Sequence, residues 1–509
     1  MESRPLVVVG AGIAGTAAAI EAARAGVQVT LVDENPVSMS TMGLDVPLFF
    51  GERIEPALSN RAVMLGRVIA ANHATAEAAS AGVDVRIGTW VWGAFRNSDT
   101  SRLLDGPQLG LADDRQSWMV KYDRLIVAAG ARDLGMPFLG SDLAGAMGAN
   151  GAHSLISLYQ GLTSQRMVIL GSGNLGLNTA RMALTSGVEV AAVVDAAPAV
   201  GGSGALVSEL RNLGVEFYTS HTVKEAAGAE GEVESVVLVE VDADNEPVGG
   251  SEKVFAADTV CLAIGLVPNI ELLSLLGCDL TFKSELGGFV PDHDEWMRTT
   301  VDNVYAAGDA AGFHDGMVLD PDIARNQGRL AGIAAAESLG AIDSAEARAR
   351  ASDIRALTEV RPTEVHSGWR RWLESLVNAG GPGVHVCRCE EVTCAELIGL
   401  QPPRYLNWTS EQMSRRNLQT HVKDGPVNPN HVKRLTRVGT GHCQGRLCRE
   451  QVSMLVAGES GTDVADLPMM TYRPPVRPLP LKIMWPHDET EQVRTEWPKW
   501  FYPPGKVLG

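Results

Sequence analysis

The apolar positions of this chain gather in short strand-length segments around glycine turns. Leu6-Val7-Val8-Val9 is the first, and it ends at a glycine turn, Gly10-Ala11-Gly12-Ile13-Ala14-Gly15. An Ala-rich stretch follows, and Val27–Val32, interrupted by Gln28 and Thr30, is the next strand. Short strand-length segments around a glycine turn predict buried strands, and the Ala-rich stretch predicts a crossover helix between parallel neighbours. The pattern returns at 167–195, as Met167–Leu170, then Gly171-Ser172-Gly173-Asn174-Leu175-Gly176, a helix, and Val188–Val194. Two further strand-plus-glycine segments, Tyr122–Gly130 and Val304–Asp309, lie between and after these units, and an Ala-rich helix is expected from about 320 to 338.

Repeated strand–turn–helix–strand units predict an α/β protein with tandem Rossmann-like dinucleotide-binding folds and parallel sheets. The predicted chain path is interrupted. Residues 1–148 and 296–340 form the first nucleotide domain, and a second dinucleotide-binding-like domain, 149–295, is inserted between them. Residues 341–380 read as a helical connector, 381–462 as a small α-helical module, and 463–509 as an arm. That arm has nine prolines between Pro468 and Pro504, with Trp485, Trp497 and Trp500. It can be neither regular helix nor central strand. Proline beside so much aromatic surface predicts that the arm from about Arg473 to Tyr502 lies on another subunit or wraps its own oligomer.

Composition narrows the partners. A formal net charge of −18 argues against nucleic acid or an anionic membrane surface. No apolar run reaches the roughly 18 residues that span a bilayer. The first strand begins so early that no room is left for an export signal, so the expected location is cytoplasmic, free or peripheral at a membrane for electron delivery.

The first glycine turn sits where a dinucleotide fingerprint must. Gly10 permits the turn, Gly12 lets a pyrophosphate approach the backbone at the helix N-terminus, and Gly15 allows the helix to pack on the strand. Asp33, 18 residues after Gly15 and followed by Glu34, ends the second strand where an acid accepts hydrogen bonds from a ribose. The turn at Ala128-Ala129-Gly130, on a strand led by Asp123, and the sequence Gly308-Asp309 complete a set. Over residues 5–335 the set resembles the glutathione- and thioredoxin-reductase-like flavoproteins with two dinucleotide folds. That resemblance implies FAD at the N-terminal site, with Asp309 on its ribityl chain. A helix N-cap is the plainer reading of Asp309.

Two departures matter. The flavin domain has no cysteine, so disulfide reduction by a paired-cysteine route is excluded. From Asn35 the chain reads N-P-V-S-M-S-T-M-G-L-D-V-P, without the Gly-Gly-Gln stretch common after the ribose acid. That leaves either FAD or only its ADP-like half, with ATP in its place. The second fingerprint, Gly171 to Gly176 with Asp195, could hold NAD, and the absence of an adjacent arginine argues against NADP. Asn178 stands where such reductases often have glutamate, which favours a fold retained with weak or no nucleotide over a working NAD site.

The seven cysteines begin only at Cys261, and four form two tight pairs, Cys387/Cys389 and Cys443/Cys448. A C-x-C and a distant C-x4-C offer four thiolates on two loops, enough for one [2Fe–2S] cluster. Zinc is the competing reading, but zinc modules favour C-x2-C knuckles. Arg388 and Arg446 are placed to offset cluster charge. Cys261, Cys278 and Cys394 are read as unliganded, and His442 as an ordinary loop histidine. The strings C-R-C-E-E-V-T and T-R-V-G-T-G-H-C-Q-G-R-L-C, with R-P-P-V-R-P-L-P-L at 473–481, resemble the α subunits of heteromeric amino-acid dehydrogenases. These include hydrogen cyanide synthase, opine oxidase, and proline and hydroxyproline dehydrogenases, with their bacterioferritin-associated-ferredoxin-like module. The 53 residues between Cys389 and Cys443 exceed that pattern, which an insertion around 400–425 with Pro402, Pro403 and Trp408 would explain.

The resemblance implies an electron-transfer subunit. A secondary amine or amino acid would be oxidised on an FAD-containing, amine-oxidase-like β subunit, with FMN at the interface in some members and a small third subunit in a higher-order heteromer. Two alternatives remain open on the residues: a self-sufficient NADH-dependent FAD/[2Fe–2S] reductase, and a non-enzymatic iron–sulfur partner.

Overall fold

A computed structural model describes residues 2–37, 53–99, 102–355, 368–402, 415–484, 491–492 and 495–496. Most of the segment after Asn35, together with Pro403, Trp408, Trp485, Trp497, Trp500 and Tyr502, lies outside the described residues.

The first domain is built on β1 (Glu2–Val9), α1 (Ile13–Arg24), β2 (Val29–Asp33), β3 (Asp84–Ile87), β4 (Trp90–Phe95), β5 (Gln108–Ala112) and β6 (Ser117–Val127), in the sheet order β3-β2-β1-β6-β5-β4. The strands β3, β2, β1 and β6 are parallel, whereas β4, β5 and the first half of β6 form an antiparallel meander. Leu6, Val8, Leu31, Leu125 and Ile126 are wholly buried, as two-sided burial of apolar runs requires.

The second domain carries β7 (Ala146–Gly148), β8 (Arg166–Leu170), α2 (Asn174–Thr185), β9 (Glu189–Asp195), β10 (Phe217–Thr219) and β11 (Thr259–Leu262), in the all-parallel order β10-β9-β8-β11-β7. A three-stranded antiparallel sheet, His221–Ala227, Ser235–Glu240 and Lys253–Ala256, interrupts it. The chain then returns to the first sheet. β12 (Val304–Ala306) pairs in parallel with the last residues of β6, Tyr305 opposite Ile126.

After it, α3 (Asp322–Ser338) packs on α1 at backbone distance. A Cβ on Gly328 would stand 2.0 Å from the Ala14 carbonyl oxygen, and one on Gly332 would stand 2.4 Å from that of Ala18. This close approach pins the Gly308 turn over the start of α1. Two helices follow, α4 (Ser344–Arg355) and α5 (Gly368–Gly380), and α5 buries Trp369, Trp372, Leu373 and Leu376 against the second domain.

The small module has its own core. It comprises β13 (His385–Cys387), β14 (Val392–Thr393), α6 (Cys394–Ile398), α7 (Leu418–Asp424), α8 (Pro429–Thr436) and α9 (Arg449–Ser460) around Val386, Val392, Leu397, Leu418, Val432 and Val452. α6 starts at a capping box, Thr393 with Glu396, and α8 has Pro429 in its first turn after the cap Asn428.

Through Met484 the described part of the arm lies along its own chain. The Val476 N–H donates to the Trp92 carbonyl at 2.7 Å, Gln444 Nε2 donates to the Pro475 carbonyl at 2.7 Å, and Ile483 is buried beside Trp90. The cause is the sheet edge. β4 is the last strand of the first sheet, and an uncovered edge presents unpaired backbone groups that a neighbouring segment can satisfy.

Candidate functional site

The first glycine turn has the geometry of an open anion cradle. Gly10 has φ +102°, its N–H donates to the Val32 carbonyl at 2.8 Å, and a Cβ there would stand 2.1 Å from the Ala128 carbonyl oxygen. A Cβ on Gly15 would stand 1.8 Å from the Gly10 carbonyl oxygen. Among the described residues a Cβ on Gly12 would meet nothing within 4 Å. Gly10 and Gly15 are thus packing glycines, whereas Gly12 faces no other described residue at the α1 N-terminus. Asp33 braces the loop by accepting the Ala11 N–H at 2.6 Å and the Asn35 N–H at 2.7 Å.

The other predicted residues gather at the same end of the sheet. Asn269 holds the turn by donating its side chain to the Ala129 carbonyl at 2.9 Å and its N–H to the Gly130 carbonyl at 3.0 Å. Gly308, at φ +65°, donates its N–H to Gln327 Oε1 at 3.0 Å, and a Cβ on it would lie 2.7 Å from the Ala14 Cβ. Burial pushes the Asp309 carboxyl up to about 6, against its own backbone N–H. A partly buried carboxylate suits a ligand that brings hydroxyl groups. Glu34 is already engaged, in an ion pair with Arg477 of the arm.

The second glycine turn repeats the backbone but not the space. Gly171 has φ +110°, and a Cβ on Gly176 would stand 1.9 Å from the Gly171 carbonyl oxygen. Asp195 is buried and accepts Ser172 N–H at 2.8 Å, the Ser172 hydroxyl at 2.5 Å and the Ala197 N–H at 2.9 Å. The Asp315 carboxylate meets the start of α2.

The four paired cysteines converge. Cys387 ends β13, and Cys389 follows it, half-buried; Cys443 and Cys448 flank the short loop Gln444-Gly445-Arg446-Leu447 just before α9. The thiols associate crosswise, Cys387 with Cys448 and Cys389 with Cys443. The hydrogen bond from Cys389 holds Cys443 down at about 5 against burial, with Arg446 helping, and that from Cys448 lowers Cys387. The Gly439 N–H points at Cys387 Sγ, 3.5 Å away, and a Cβ on Gly441 would stand 2.5 Å from that of Cys389. Among the described residues no three His, Cys, Asp or Glu side chains stand as a ready single-ion site. Four thiols on two loops are the ligand set of a two-iron centre and equally of a tetrahedral zinc site. Cys394 is buried at the start of α6, and Cys261 and Cys278 are core residues. His442 Nε2 lies 3.8 Å from Cys389 Sγ. Lys433, which the sequence did not single out, is lowered by burial, against Cys448, Cys443 and Cys387, which raise it. With Arg434, Arg473 and His442 it lines a cleft of about 650 Å³ beside the thiols.

A buried ionic junction joins this module to the nucleotide domains. Arg132, two residues after Gly130, donates to the Arg446 carbonyl at 2.6 Å and pairs with Glu450 at 3.2 Å and Glu271 at 3.4 Å. Burial raises Glu450, but Arg449 and Arg132 together outweigh it and hold the carboxyl below its usual range. Arg449, almost wholly buried, also donates to the Tyr472 hydroxyl. No sequence spacing signals this network, because Arg132 and Glu450 stand 318 positions apart.

Known proteins resemble the chain throughout. The family model described as pyridine nucleotide-disulphide oxidoreductase matches residues 4–340, and the one described as sarcosine oxidase A3 domain matches 409–486. An opine oxidase subunit of Agrobacterium tumefaciens is 27% identical over 94% of this chain and 90% of its own. Hydrogen cyanide synthase subunit HcnB of Pseudomonas aeruginosa is 26% identical over 94% and 98%. Among solved structures, L-proline dehydrogenase from P. horikoshii superposes with a TM-score of 0.61 at 18% identity, covering 95% of this chain and 79% of that one.

Proposed function

The chain belongs to the pyridine nucleotide-disulphide oxidoreductase family, and from that premise we propose that it is the electron-handling subunit of a heteromeric flavin/[2Fe–2S] dehydrogenase. In this reading a partner β subunit oxidises a secondary amine or amino acid of the proline, N-methyl amino acid or opine type. This chain takes the electrons onward. The observation that carries it is the crosswise pair of thiol pairs, Cys387/Cys448 and Cys389/Cys443, docked by Arg132 two residues from the Ala129–Gly130 turn. Relatives named as oxidase or synthase subunits, aligned over more than nine-tenths of the chain, support the division of labour.

The residues present fit both groups. Gly10, Gly12, Gly15, Asp33, Ala129, Gly130, Gly308 and Asp309 would hold the nucleotide, with no other described residue facing Gly12 where the pyrophosphate would lie and a partly buried carboxylate at Asp309 for ribityl hydroxyls. Cys387, Cys389, Cys443 and Cys448 would hold the cluster, with Arg446 and Lys433 offsetting its charge. When bound, a flavin and a [2Fe–2S] centre supply one-electron transfer. The chain's own part is to hold the two sites at a fixed separation through the Arg132–Glu450–Arg449 junction and to keep water from it. The cationic cleft beside the thiols is the proposed face for the partner subunit or for the phosphate of an interfacial FMN.

The test is reconstitution. The purified chain should hold about two irons, as one such cluster requires, and show no amine:dye oxidoreductase activity. Adding a flavin-containing β subunit should restore turnover, and Cys443→Ser should abolish both the iron and the turnover. Robust oxidation of proline, sarcosine or an opine by the isolated chain would refute the reading, as would stoichiometric zinc in anaerobically prepared protein.

A further inference from the structure

We infer that the second dinucleotide fold is closed by a carboxylate of the chain itself: Asp315 takes the place of a dinucleotide's pyrophosphate, and the fold is structural and accepts no NAD. The Asn174 N–H donates to Asp315 Oδ2 at 2.7 Å and the Leu175 N–H to Oδ1 at 3.0 Å. These are the free donors at the start of α2, the groups that together with the helix dipole make a fingerprint loop an anion site. Gly173, whose missing side chain would admit phosphates, abuts the same carboxylate. A Cβ there would stand 3.3 Å from Asp315 Oδ1. Asp315 is itself buried, at 8% exposure, so its charge is matched by those N–H groups and not by water.

Asp195, the acid that would take ribose hydroxyls, accepts from Ser172 and Ala197 as Asp33 does from Ala11 and Asn35, and differs in being buried. The segment 201–203 folds over the glycine loop. Gly201 N–H donates to the Ser172 hydroxyl at 3.1 Å, Gly202 N–H to the Ser172 carbonyl at 2.9 Å, and Ser203 N–H to Asn174 Oδ1 at 2.9 Å. A pyrophosphate would have to displace one anion from two donors and lift this segment as well. Asp315 sits in the turn Asp315–Val318, a few residues after Gly308-Asp309, so the closing group is delivered by the segment that serves the first fold. The inference goes beyond the role proposed for the whole chain and does not depend on which substrate the partner oxidises.

Amide hydrogen exchange of the intact chain, read by mass spectrometry on the peptide spanning 171–178, tests it with NADH as the probe. In the wild type this peptide should be protected without ligand, and NADH should leave it unchanged. In Asp315→Ala its exchange should quicken by about tenfold or more, the size expected for losing a hydrogen bond to a charged group. NADH should then restore protection at this peptide and not at 10–17. Protection of the wild-type peptide by NADH would overturn the inference, and so would unchanged exchange in Asp315→Ala. Faster exchange that NADH cannot reverse would overturn the assignment of Asp315 as the excluding group.

Discussion

The two glycine turns of this chain share a backbone and differ in what faces it. Both open on a glycine at positive φ, +102° at Gly10 and +110° at Gly171, and both seat the third glycine on the carbonyl of the first. At the second glycine they part. Gly12 faces no other described residue, whereas Gly173 looks onto the Asp315 carboxylate. The acids that end the second strands differ too: Asp33 braces the loop while still partly exposed, and Asp195 is buried. A fingerprint therefore encodes a turn that brings a helix N-terminus to a strand end. Whether an anion from outside can use it is decided by side chains far away in sequence.

The comparison breaks most sharply at the middle glycine. Gly12→Val should empty the N-terminal nucleotide site completely, because its side chain would fill the space the phosphates need. Gly173→Val should leave the nucleotide content untouched and instead push Asp315 aside, costing about 1–3 kcal/mol of stability as overpacking does. Mass spectrometry of the ligand released on denaturation, beside thermal unfolding, separates the two outcomes. Equal loss of nucleotide from both variants would erase the distinction between the folds.

The strand-end acids give the next largest effect. Asp33→Ala should weaken nucleotide binding by about tenfold or more, the worth of a charged hydrogen bond. Asp195→Ala should not change nucleotide binding, and should destabilise the second domain by about 2–3 kcal/mol, because buried donors of Ser172 and Ala197 lose their acceptor. Equilibrium binding and urea unfolding on the same preparations check the crossover.

How far this was legible in the chain follows from distance along it. Both strand–turn–helix units, the return to the first sheet near Asp309 and the four cysteines could be read from spacing, because each rests on residues a few positions apart. The meander of β4 to β6 was not read, since Gln108–Ala112 is buried throughout and shows no alternation. The closing of the second fold depends on Asp315 meeting Asn174 from 141 positions away, and Asn178 was the only local hint. Spacing likewise named four thiols but not their crosswise association. The arm's proline content predicted an extended segment, and its described part runs along its own chain. The β4 edge and the Arg477–Glu34 ion pair, 443 positions apart, draw it back onto its own domain.

That ion pair gives a smaller test, confined to the first fold. Arg477→Ala frees Glu34 beside Asp33 and loosens the arm. Both partners are partly exposed, so the pair is worth about 0.5–1 kcal/mol, and nucleotide affinity should fall by no more than about fivefold. Limited proteolysis within 468–484 should quicken in parallel. An unchanged cleavage pattern would show that the strand-edge contact at Val476 holds the arm alone.

The finest distinction concerns which nucleotide the open fold takes. Burial holds the Asp309 carboxyl at about 6 in the free protein, above the usual value of 3.8, so its ionised form is disfavoured there. A ribityl hydroxyl donating to the carboxylate would favour the ionised form, since a charge-assisted hydrogen bond is the stronger kind. The sign follows from linkage: a ligand that prefers ionised Asp309 binds less tightly as pH falls through about 6, and the loss is gone in Asp309→Asn. FAD affinity should therefore fall between pH 7 and 5 in the wild type and stay level in the variant. ATP carries no ribityl chain, so its affinity should show no Asp309-dependent step over the same range. Isothermal titration of both ligands into nucleotide-free wild type and Asp309→Asn reads the difference. An Asp309-dependent step for ATP would place this carboxylate on the phosphates or the adenosine instead.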